Sequence, residues 1–360
     1  MLKQSNPRFT TTRNVFRVTT LFALTVGFIG MLGGCDNADP DMGCQQQIKI
    51  TSARLVTGLE ELQGSTIGPS SDLYVTAPLT GSIWRVDRKS GKTSLFASGL
   101  PARDPDPYFQ GSGVVDVAFL GGTAYALVTG VAPDLGGSDI VGIYRMDGPN
   151  AFSVVADLGA WSEAHPPETD IFIATGFQYA MQTYKDGFIV TDGHHNRVLQ
   201  VGLDGEITEL VAFGNVVPIG LALRGNTVYI GQAGPIPHVP EESKVFSFTM
   251  QSLTPTQLAS GVGLEDIGLL ADLEFGPGGE LYGILQGFWD GPFEGAPAEP
   301  NTGALVSVNT DGSFTILMDG LNQPTSLEII GTTAYVVSLA GEVWTIETSR
   351  VRPCEVWREQ

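Results

Sequence analysis

The stretch VVDVAFLGGTAYAL, at 114–127, decides the fold. Two apolar runs flank a Gly-Gly pair, which is the pattern of two antiparallel strands joined by a tight turn. Similar stretches recur as IGLALRGNTVYIG (219–231), LADLEFGPGGELYGI (270–284) and TSLEIIGTTAYVV (325–337). A unit of this kind that recurs along one chain indicates a repeat architecture.

Marker residues in the second strand show how often the unit recurs. They are spaced 51, 64, 40, 53 and 53 residues apart: Tyr74, Tyr125, Ile189, Tyr229, Tyr282 and Tyr335. An alternating strand such as VGIYRM follows each marker, and a closing strand such as FTILMDGL completes most units. Four antiparallel strands per unit are typical of a propeller blade. The sixth unit lacks its closing strand, which IKITSARLVTGL (48–59) can supply. The sequence therefore predicts an all-β fold, a six-bladed β-propeller with four-stranded antiparallel blades, the last blade closed by the N-terminal strand.

The first 35 residues are typical of an export signal. Four basic residues and no acidic one precede an apolar run, LFALTVGFIGMLGG (21–34), that is too short for a membrane span. The run ends in LGGC, which resembles a bacterial lipobox, whose cysteine (here Cys35) becomes the lipidated first residue. Ordinary signal cleavage, with Cys35 incidental, is the alternative. We expect a signal peptide (1–34), a tether (35–47), the propeller (48–350) and a tail (351–360), in an exported lipoprotein of the periplasm or cell surface.

Net charge narrows the range of partners. The chain carries −20 at pH 7, and loss of the four basic residues of the signal would leave −24. Such acidity disfavours binding to nucleic acid and to anionic lipid headgroups. We therefore expect no nucleic-acid partner, and contact with a membrane only through the lipid anchor.

Two cysteines remain beside Cys35. Cys44 and Cys354 flank the first and last structured segments. Because export permits oxidation, we expect a disulfide that ties the two ends together. Two free thiols are the alternative.

Loop lengths assign the candidate site to one face of the ring. Turns between first and second strands, and between third and fourth, are short, whereas second-to-third-strand loops and blade connections are long and uneven. Insertions on one face of a repeat array usually build its binding surface. We call these two sides the short-turn face and the long-loop face. All four histidines fall in loops of the long-loop face: His165, His194, His195 and His238.

These histidines have two interpretations. Neutral imidazole binds zinc and similar ions, and carboxylates can add ligands, so His238 and Asp272 are the candidate metal ligands. Alternatively, His194 and His195 cap a solvated turn, and the other two histidines lie in ordinary loops. Neighbouring side chains in extended chain point in opposite directions, which argues against His194 and His195 binding one ion together.

Asp116 and Asp272 occupy the same place in VVDVAF and LADLEF, at the start of an innermost strand that lines the channel. Carboxylates there, with carbonyl oxygens of neighbouring blades, can hold Ca²⁺ or another divalent metal. They can equally be structural, accepting hydrogen bonds from backbone N–H groups of the adjacent blade. The sequence leaves both alternatives open.

Aromatic side chains such as Trp289 add to the long-loop face and suit an apolar or carbohydrate ligand, unless they only pack the long loops down. The chain contains no Gly-x-Ser-x-Gly elbow, His-Glu-x-x-His motif, phosphate loop or dinucleotide fingerprint. Serine-hydrolase and nucleotide-dependent chemistry are therefore disfavoured.

Longer phrases, including VVDVAFLGGTAYALVTG and GFIVTDGHHNRVLQV, resemble the ScyD/ScyE family of secreted bacterial propellers over roughly 55–345. The resemblance implies the fold and export. In that family a histidine often precedes the aspartate of the second blade. Val115 occupies this position here, so the role of that histidine is not carried over to this chain. GFIVTDGHHNRVLQV also resembles an NHL repeat, which implies that Asp192 and the Asn196–Arg197 pair fasten the loop by hydrogen bonds.

Six-bladed folds include gluconolactonase-like hydrolases and non-catalytic binding modules, so fold does not decide function. We expect binding of a small molecule, glycan or partner protein on the long-loop face. The candidate ligand contacts are His165, His194, His238, Asp116, Asp272 and Trp289. The alternative is a metal-assisted hydrolase or lyase on the same face.

Overall fold

The computed structural model describes residues 47–103, 112–169, 173–236, 239, 242–261, 268–289 and 296–351. They form six four-stranded antiparallel sheets arranged in a ring, which confirms the predicted six-bladed β-propeller. Innermost strands contact one another in cyclic order around a central channel.

The strands follow the blades in chain order. Blade 1 comprises β2 (Ser65–Ile67), β3 (Leu73–Ala77), β4 (Ser82–Val86) and β5 (Thr93–Ala97). Blade 2 comprises β6 (Gly113–Leu120), β7 (Thr123–Thr129), β8 (Gly142–Gly148) and β9 (Ala151–Asp157). Blade 3 comprises β10 (Gln178–Tyr184), β11 (Gly187–Asp192), β12 (Arg197–Gly202) and β13 (Ile207–Ala212).

Blades 4 to 6 repeat the arrangement. Blade 4 comprises β14 (Pro218–Arg224), β15 (Thr227–Gln232), β16 (Lys244–Thr249) and β17 (Ser252–Ser260). Blade 5 comprises β18 (Leu270–Phe275), β19 (Leu281–Leu285), β20 (Gly303–Val308) and β21 (Phe314–Leu321). Blade 6 comprises β22 (Pro324–Ile330), β23 (Thr333–Ser338), β24 (Glu342–Val351) and β1 (Gln47–Val56). Among the described residues one α-helix is found, α1 (Leu158–Ala164), which lies between blades 2 and 3.

Blade 6 combines the two ends of the described chain. Its sheet order is β22, β23, β24, β1, so the strand that begins at Gln47 is the outermost one. β1 runs from the short-turn face to the long-loop face, where it continues into blade 1. Both Gln47 and its partner Val351 therefore lie at the short-turn face.

The marker tyrosines explain why the sequence repeat packs as a ring. Tyr74 meets Phe119 of blade 2 with ring centroids 4.7 Å apart, and Tyr229 meets Phe275 of blade 5 at 4.9 Å. Each pair is in an edge-to-face arrangement, which adds to the area that aromatic side chains bury. In blades 1 and 4 the marker tyrosine therefore stabilises the contact with the next blade.

Among the described residues, no helix is long and apolar enough to cross a membrane.

Blades 4 and 5 pack closely against each other at Gly220. A Cβ atom at Gly220 would lie 2.9 Å from the Cα of Asp272 and 3.0 Å from its carbonyl carbon. Because backbone on both sides resists movement, Gly220→Ala should lower the free energy of unfolding by about 1–3 kcal/mol. Denaturant unfolding measures this loss. The matched control is Gly214→Ala, where a Cβ would meet nothing within 4 Å; a control variant that loses as much stability would contradict the steric cause.

Candidate functional site

The central channel is the best-defined candidate site. The innermost strands enclose a cavity of about 250 Å³. Four carboxyl groups line it: Asp116, Asp272, Glu274 and Glu328. Among the described residues that line the cavity there is no lysine, arginine or histidine. The channel is thus an acidic compartment without a basic side chain in its described wall.

Asp116 joins blade 2 to blade 3. Its Oδ2 accepts a hydrogen bond from the backbone N–H of Met181 at 2.7 Å, and its Oδ1 accepts one from Val117 at 2.8 Å. Met181 lies on the innermost strand of the next blade. This contact agrees with the structural alternative for Asp116.

Asp272 repeats the contact between blades 5 and 6. Its Oδ2 accepts from the backbone N–H of Leu327 at 2.9 Å and from the hydroxyl of Ser326 at 3.2 Å, while Oδ1 accepts from Leu273 at 2.8 Å. Ser326 in turn contacts Ser65 of blade 1, with the two hydroxyl oxygens 2.8 Å apart. Each aspartate therefore accepts a hydrogen bond from a backbone N–H group on the innermost strand of the next blade. The antiparallel ladder within its own blade does not provide an acceptor for that group.

The two halves of the ring share this arrangement. At the equivalent position of the innermost strands, blades 1 to 3 carry Gly, Asp and Ala, and blades 4 to 6 carry Gly, Asp and Ser. A Cβ at Gly64 would lie 2.6 Å from Asp116 Oδ1, and a Cβ at Gly220 would press on Asp272. The glycine of one blade thus makes room for the aspartate of the next.

Glu274 lies two residues after Asp272 on β18, and Glu328 lies two residues after Ser326 on β22 of the adjacent blade. Glu274 pairs with Tyr282 and Glu328 with Tyr335, so both occupy the same place in their blades. Gln182 holds this place in blade 3 and hydrogen-bonds to Glu274. Neither glutamate was predicted as a site residue from the sequence, although alignment of LADLEF (270–275) with PTSLEI (324–329) places them at one position.

Burial raises the pKa of all four channel carboxyl groups. Burial raises the pKa of Asp272 to about 7 and that of Glu274 to about 6, against the lowering effect of their backbone hydrogen bonds. Burial also raises the pKa of Asp116 well above its usual value. Burial and the negative charges of Glu274, Asp272 and Asp116 do the same for Glu328. Desolvation disfavours the ionised form, and no lining cation offsets it. The channel carboxyls therefore titrate closer to neutral pH than exposed carboxyls do.

A second buried network lies in blade 3 and includes the Asp192–Arg197 loop. Arg197 donates from Nε to Asp192 (3.0 Å), from Nη1 to the carbonyl of His165 (2.7 Å) and from Nη2 to Ser162 (3.0 Å). Its guanidinium carbon also lies 4.7 Å from the ring centroid of Trp161. The network ties β12 to helix α1 and agrees with the fastening role that the NHL resemblance implies.

Asp192 remains ionised in this network. Burial alone would raise the pKa of Asp192, but hydrogen bonds and charges of His195 and Arg197 outweigh it and hold the pKa below its usual value. Asn196, in the left-handed region with φ 55°, accepts from the backbone N–H groups of Val216 and Val217 at 2.9 and 3.0 Å. The loop is therefore held both by the Asp192–Arg197 pair and by the hydrogen bonds of Asn196.

His195 does not cap a solvated turn, which corrects that alternative. Its side chain is buried, with Nε2 2.6 Å from the carbonyl of Ile173 and Nδ1 2.7 Å from Arg197 Nη2. Nδ1 also lies 3.2 Å from Asp192 Oδ2, the contact through which His195 lowers the pKa of that carboxyl. His194 is half-buried, and its ring centroid lies 5.5 Å from that of Phe177. The two neighbouring histidines thus have separate surroundings, as expected.

The other predicted contacts are dispersed. His165 is exposed and stacks on Trp161 with centroids 4.3 Å apart. Trp289 donates from Nε1 to the carbonyl of Ala296 at 3.1 Å, within its own loop. His238, Cys35, Cys44 and Cys354 lie outside the described residues. Within the described ranges, no group of three or more His, Cys, Asp or Glu side chains is placed to hold a metal ion.

No family model matches the chain, and no curated protein matches it. Solved structures do match. The PQQ-bound aldose sugar dehydrogenase from Streptomyces coelicolor is 12% identical, covers 85% of this chain and 99% of its own, and has a TM-score of 0.59. A gluconolactonase from Xanthomonas campestris is 12% identical over 83% and 89%, with a TM-score of 0.57. Virginiamycin B lyase from Staphylococcus aureus is 13% identical over 84% and 99%, with a TM-score of 0.51. At such identities the likeness shows the fold alone.

The channel carboxyls predict an unusual dependence of stability on pH. An acid with a raised pKa in the folded state stabilises the fold fully below its unfolded pKa and loses that contribution as pH rises through the folded value. The free energy of unfolding should therefore fall between about pH 4 and pH 7, the range set by Asp272 and Glu274. Glu274→Gln, which cannot ionise, should be more stable than the parent by about 1–2 kcal/mol at pH 8 and equal to it at pH 4.

Denaturant unfolding at several pH values measures both effects. The exposed Glu280 provides the matched control, because Glu280→Gln replaces the same side chain outside the channel. Equal gains at pH 8 in both variants would indicate a change in net charge and would contradict the channel effect.

Proposed function

We propose that this chain is an exported, lipid-anchored propeller that binds a small polar molecule rich in hydrogen-bond donors in its central channel. The channel supports this binding, because it is a cavity of about 250 Å³ with four carboxyl groups and no basic side chain in its described wall. Its volume is close to the lower end of the roughly 300–1,000 Å³ that small-molecule sites occupy. A compound the size of one sugar ring fits that volume better than a protein segment does.

The chemistry of the wall selects the ligand class. Ionised carboxylates only accept hydrogen bonds, and protonated carboxyls donate one. An anionic ligand would face like charge, whereas sugar hydroxyls or an ammonium group would meet acceptors. Tyr179, on the wall near the long-loop face, is half-buried and offers an aromatic surface. Carboxyls beside an aromatic ring suit a sugar, whose faces are apolar and whose edges carry hydroxyls.

The proposed tether would join the propeller at its short-turn face. β1 begins at Gln47 on that face, whereas the innermost strands begin at the long-loop face. From Cys35 to Gln47 the chain takes twelve residue steps and spans at most about 43 Å.

A hydrolase or lyase is the second candidate, and the glutamate pair favours it. Glu274 and Glu328 have raised pKa values and share one layer of the channel. A carboxyl that changes protonation near neutral pH can act as a general acid or base. In this candidate the bound molecule is turned over, so binding and product formation separate the two functions.

Ligand titration tests the proposed binding. Calorimetry with neutral sugars, sugar lactones and simple polyamines should show binding. Glu328→Gln should weaken it by roughly tenfold, because the amide replaces one carboxyl oxygen by an NH₂ group that faces the donors of the ligand. Gluconolactonase and aldose sugar dehydrogenase act on sugars by name, so sugars and their lactones come first in the panel.

His165→Ala is the matched control because His165 is exposed on the long-loop face and does not line the channel. Its binding should equal that of the parent. If His165→Ala abolishes binding and Glu328→Gln preserves it, the site lies on the loops and the channel proposal is wrong.

The anchor has its own test. Cys35→Ala should move the protein from the membrane fraction to the soluble exported fraction, because the thioether to lipid cannot form. Cell fractionation measures the shift, with Cys44→Ala as the control that keeps Cys35. A chain that stays in the cytoplasm in both variants would contradict export.

A further inference from the structure

A second cavity lies among the turns of blades 4 to 6 on the short-turn face. Its volume is about 1260 Å³, and none of its described lining residues also lines the channel. Side-chain alternation separates the two: Glu274 and Glu328 line the channel, whereas the next residues along each strand, Phe275 and Ile329, line this cavity. We call it the inter-blade cavity, because it follows the contacts of blade 5 with blades 4 and 6.

The contact between blades 1 and 2 shows how aromatic side chains fill such a place. Its centre is formed by the marker Tyr74, by Phe96 at the bulge of the outermost strand, and by Phe119 on the innermost strand of blade 2. The three ring centroids lie between 4.7 and 6.0 Å from one another. Three rings therefore occupy this contact.

Blades 4 to 6 carry smaller side chains at these three positions. Strand register gives the equivalent residues as Tyr229, Leu258 and Phe275 between blades 4 and 5, and Tyr282, Leu317 and Ile329 between blades 5 and 6. A leucine thus replaces the bulge phenylalanine in both contacts. All six residues line the inter-blade cavity. The cavity therefore opens where the repeat loses aromatic rings.

The contact between blades 6 and 1 has a similar set of residues but is covered differently. Tyr335, Leu55 and Ile67 occupy the three positions there. Arg88 of blade 1 lies over Tyr335, 5.6 Å from the ring centroid, and donates to its hydroxyl at 3.2 Å. A long basic side chain thus takes the place of the missing rings at that contact.

Most of the lining of the inter-blade cavity is aliphatic. Its most buried lining residues include Leu281, Leu305, Ala334 and Ile346, whereas Leu258 is 37% exposed. Apolar walls with few polar groups are typical of small-molecule sites, and this volume exceeds the roughly 300–1,000 Å³ that such sites occupy. An aliphatic chain in the cavity would remove this apolar surface from water.

Arg224 adds a positive charge at the rim. It is the one basic side chain, and Glu280 the one carboxyl group, among the described lining residues, and both are exposed. The guanidinium carbon lies 5.4 Å from the ring centroid of Phe275, and Nη1 donates to the carbonyl of Gly279 at 3.1 Å. The ion pairs of the described residues include neither Arg224 nor Glu280. The remaining N–H donors of the guanidinium can therefore bind a carboxylate.

We propose that the inter-blade cavity binds a free fatty acid, with its chain along Leu305, Leu317 and Ile329 and its carboxylate at Arg224. The aliphatic lining selects the chain, and the guanidinium selects the charged end. The site shares no described lining residue with the channel, so it does not depend on the function proposed for the channel.

Calorimetry of the purified full chain with dodecanoate, below the concentration at which micelles form, tests the site. The parent should bind dodecanoate. Leu258→Phe restores the ring that Phe96 provides in blade 1 and should weaken binding by roughly tenfold, because it fills the cavity. Leu317→Phe should act in the same way at the neighbouring contact.

Leu253→Phe is the matched control, because Leu253 is exposed on the same strand as Leu258 and does not line the cavity. Its binding should equal that of the parent. Failure of the parent to bind dodecanoate would overturn the proposal. Equal binding by the parent, Leu258→Phe and Leu317→Phe would overturn it as well.

Arg224→Ala distinguishes the charged end from the chain. This variant should bind dodecanoate roughly two- to fivefold more weakly than the parent, the effect of losing an exposed ion pair, and should bind dodecanol equally well. Equal affinity of the parent for dodecanoate and dodecanol would show that the carboxylate is not recognised and would overturn the assignment to a fatty acid.

Discussion

A propeller must join each innermost strand to the next without leaving backbone donors unpaired in its channel, because a buried N–H without an acceptor is costly. Asp116 and Asp272 meet this requirement at two of the six junctions by accepting from Met181 and Leu327. The glycines of the preceding blades, Gly64 and Gly220, are consequences of the same arrangement, since any side chain there would collide with these aspartates or their backbone.

The same constraint sets the chemistry of the channel. Carboxyls placed there to bind backbone donors have no cation beside them in the described wall, so burial raises their pKa values. Asp192 shows the opposite outcome in the same protein. It is fully buried, but His195 and Arg197 hold its pKa low and commit it to a structural role. The contrast separates a fixed, ionised loop network in blade 3 from channel carboxyls whose pKa values are raised.

The fold was predictable because each repeat follows the same local rules. The marker tyrosines and Gly-containing turns specify hairpins within a few residues, and the missing closing strand pointed to the N-terminal segment. For Asp116 and Asp272 the sequence offered both a metal-binding and a structural role and could not decide between them, since their hydrogen-bond partners lie 65 and 55 residues away. The burial of His195 depends on contacts to Ile173 and to Arg197, which in turn is held by Ser162 and His165. Glu274 and Glu328 escaped notice because alternation along one strand does not distinguish a channel from solvent.

Burial in the channel shifts the titration of its carboxyl groups toward neutral pH. Carbon-13 NMR titration of Asp and Glu side-chain carboxyls, assigned with the Asp272→Asn and Glu274→Gln variants, measures this directly. The Asp272 signal should titrate near pH 7 and the Glu274 signal near pH 6, as expected for buried carboxyls without a neighbouring cation. Titration of both signals below pH 5 would contradict it.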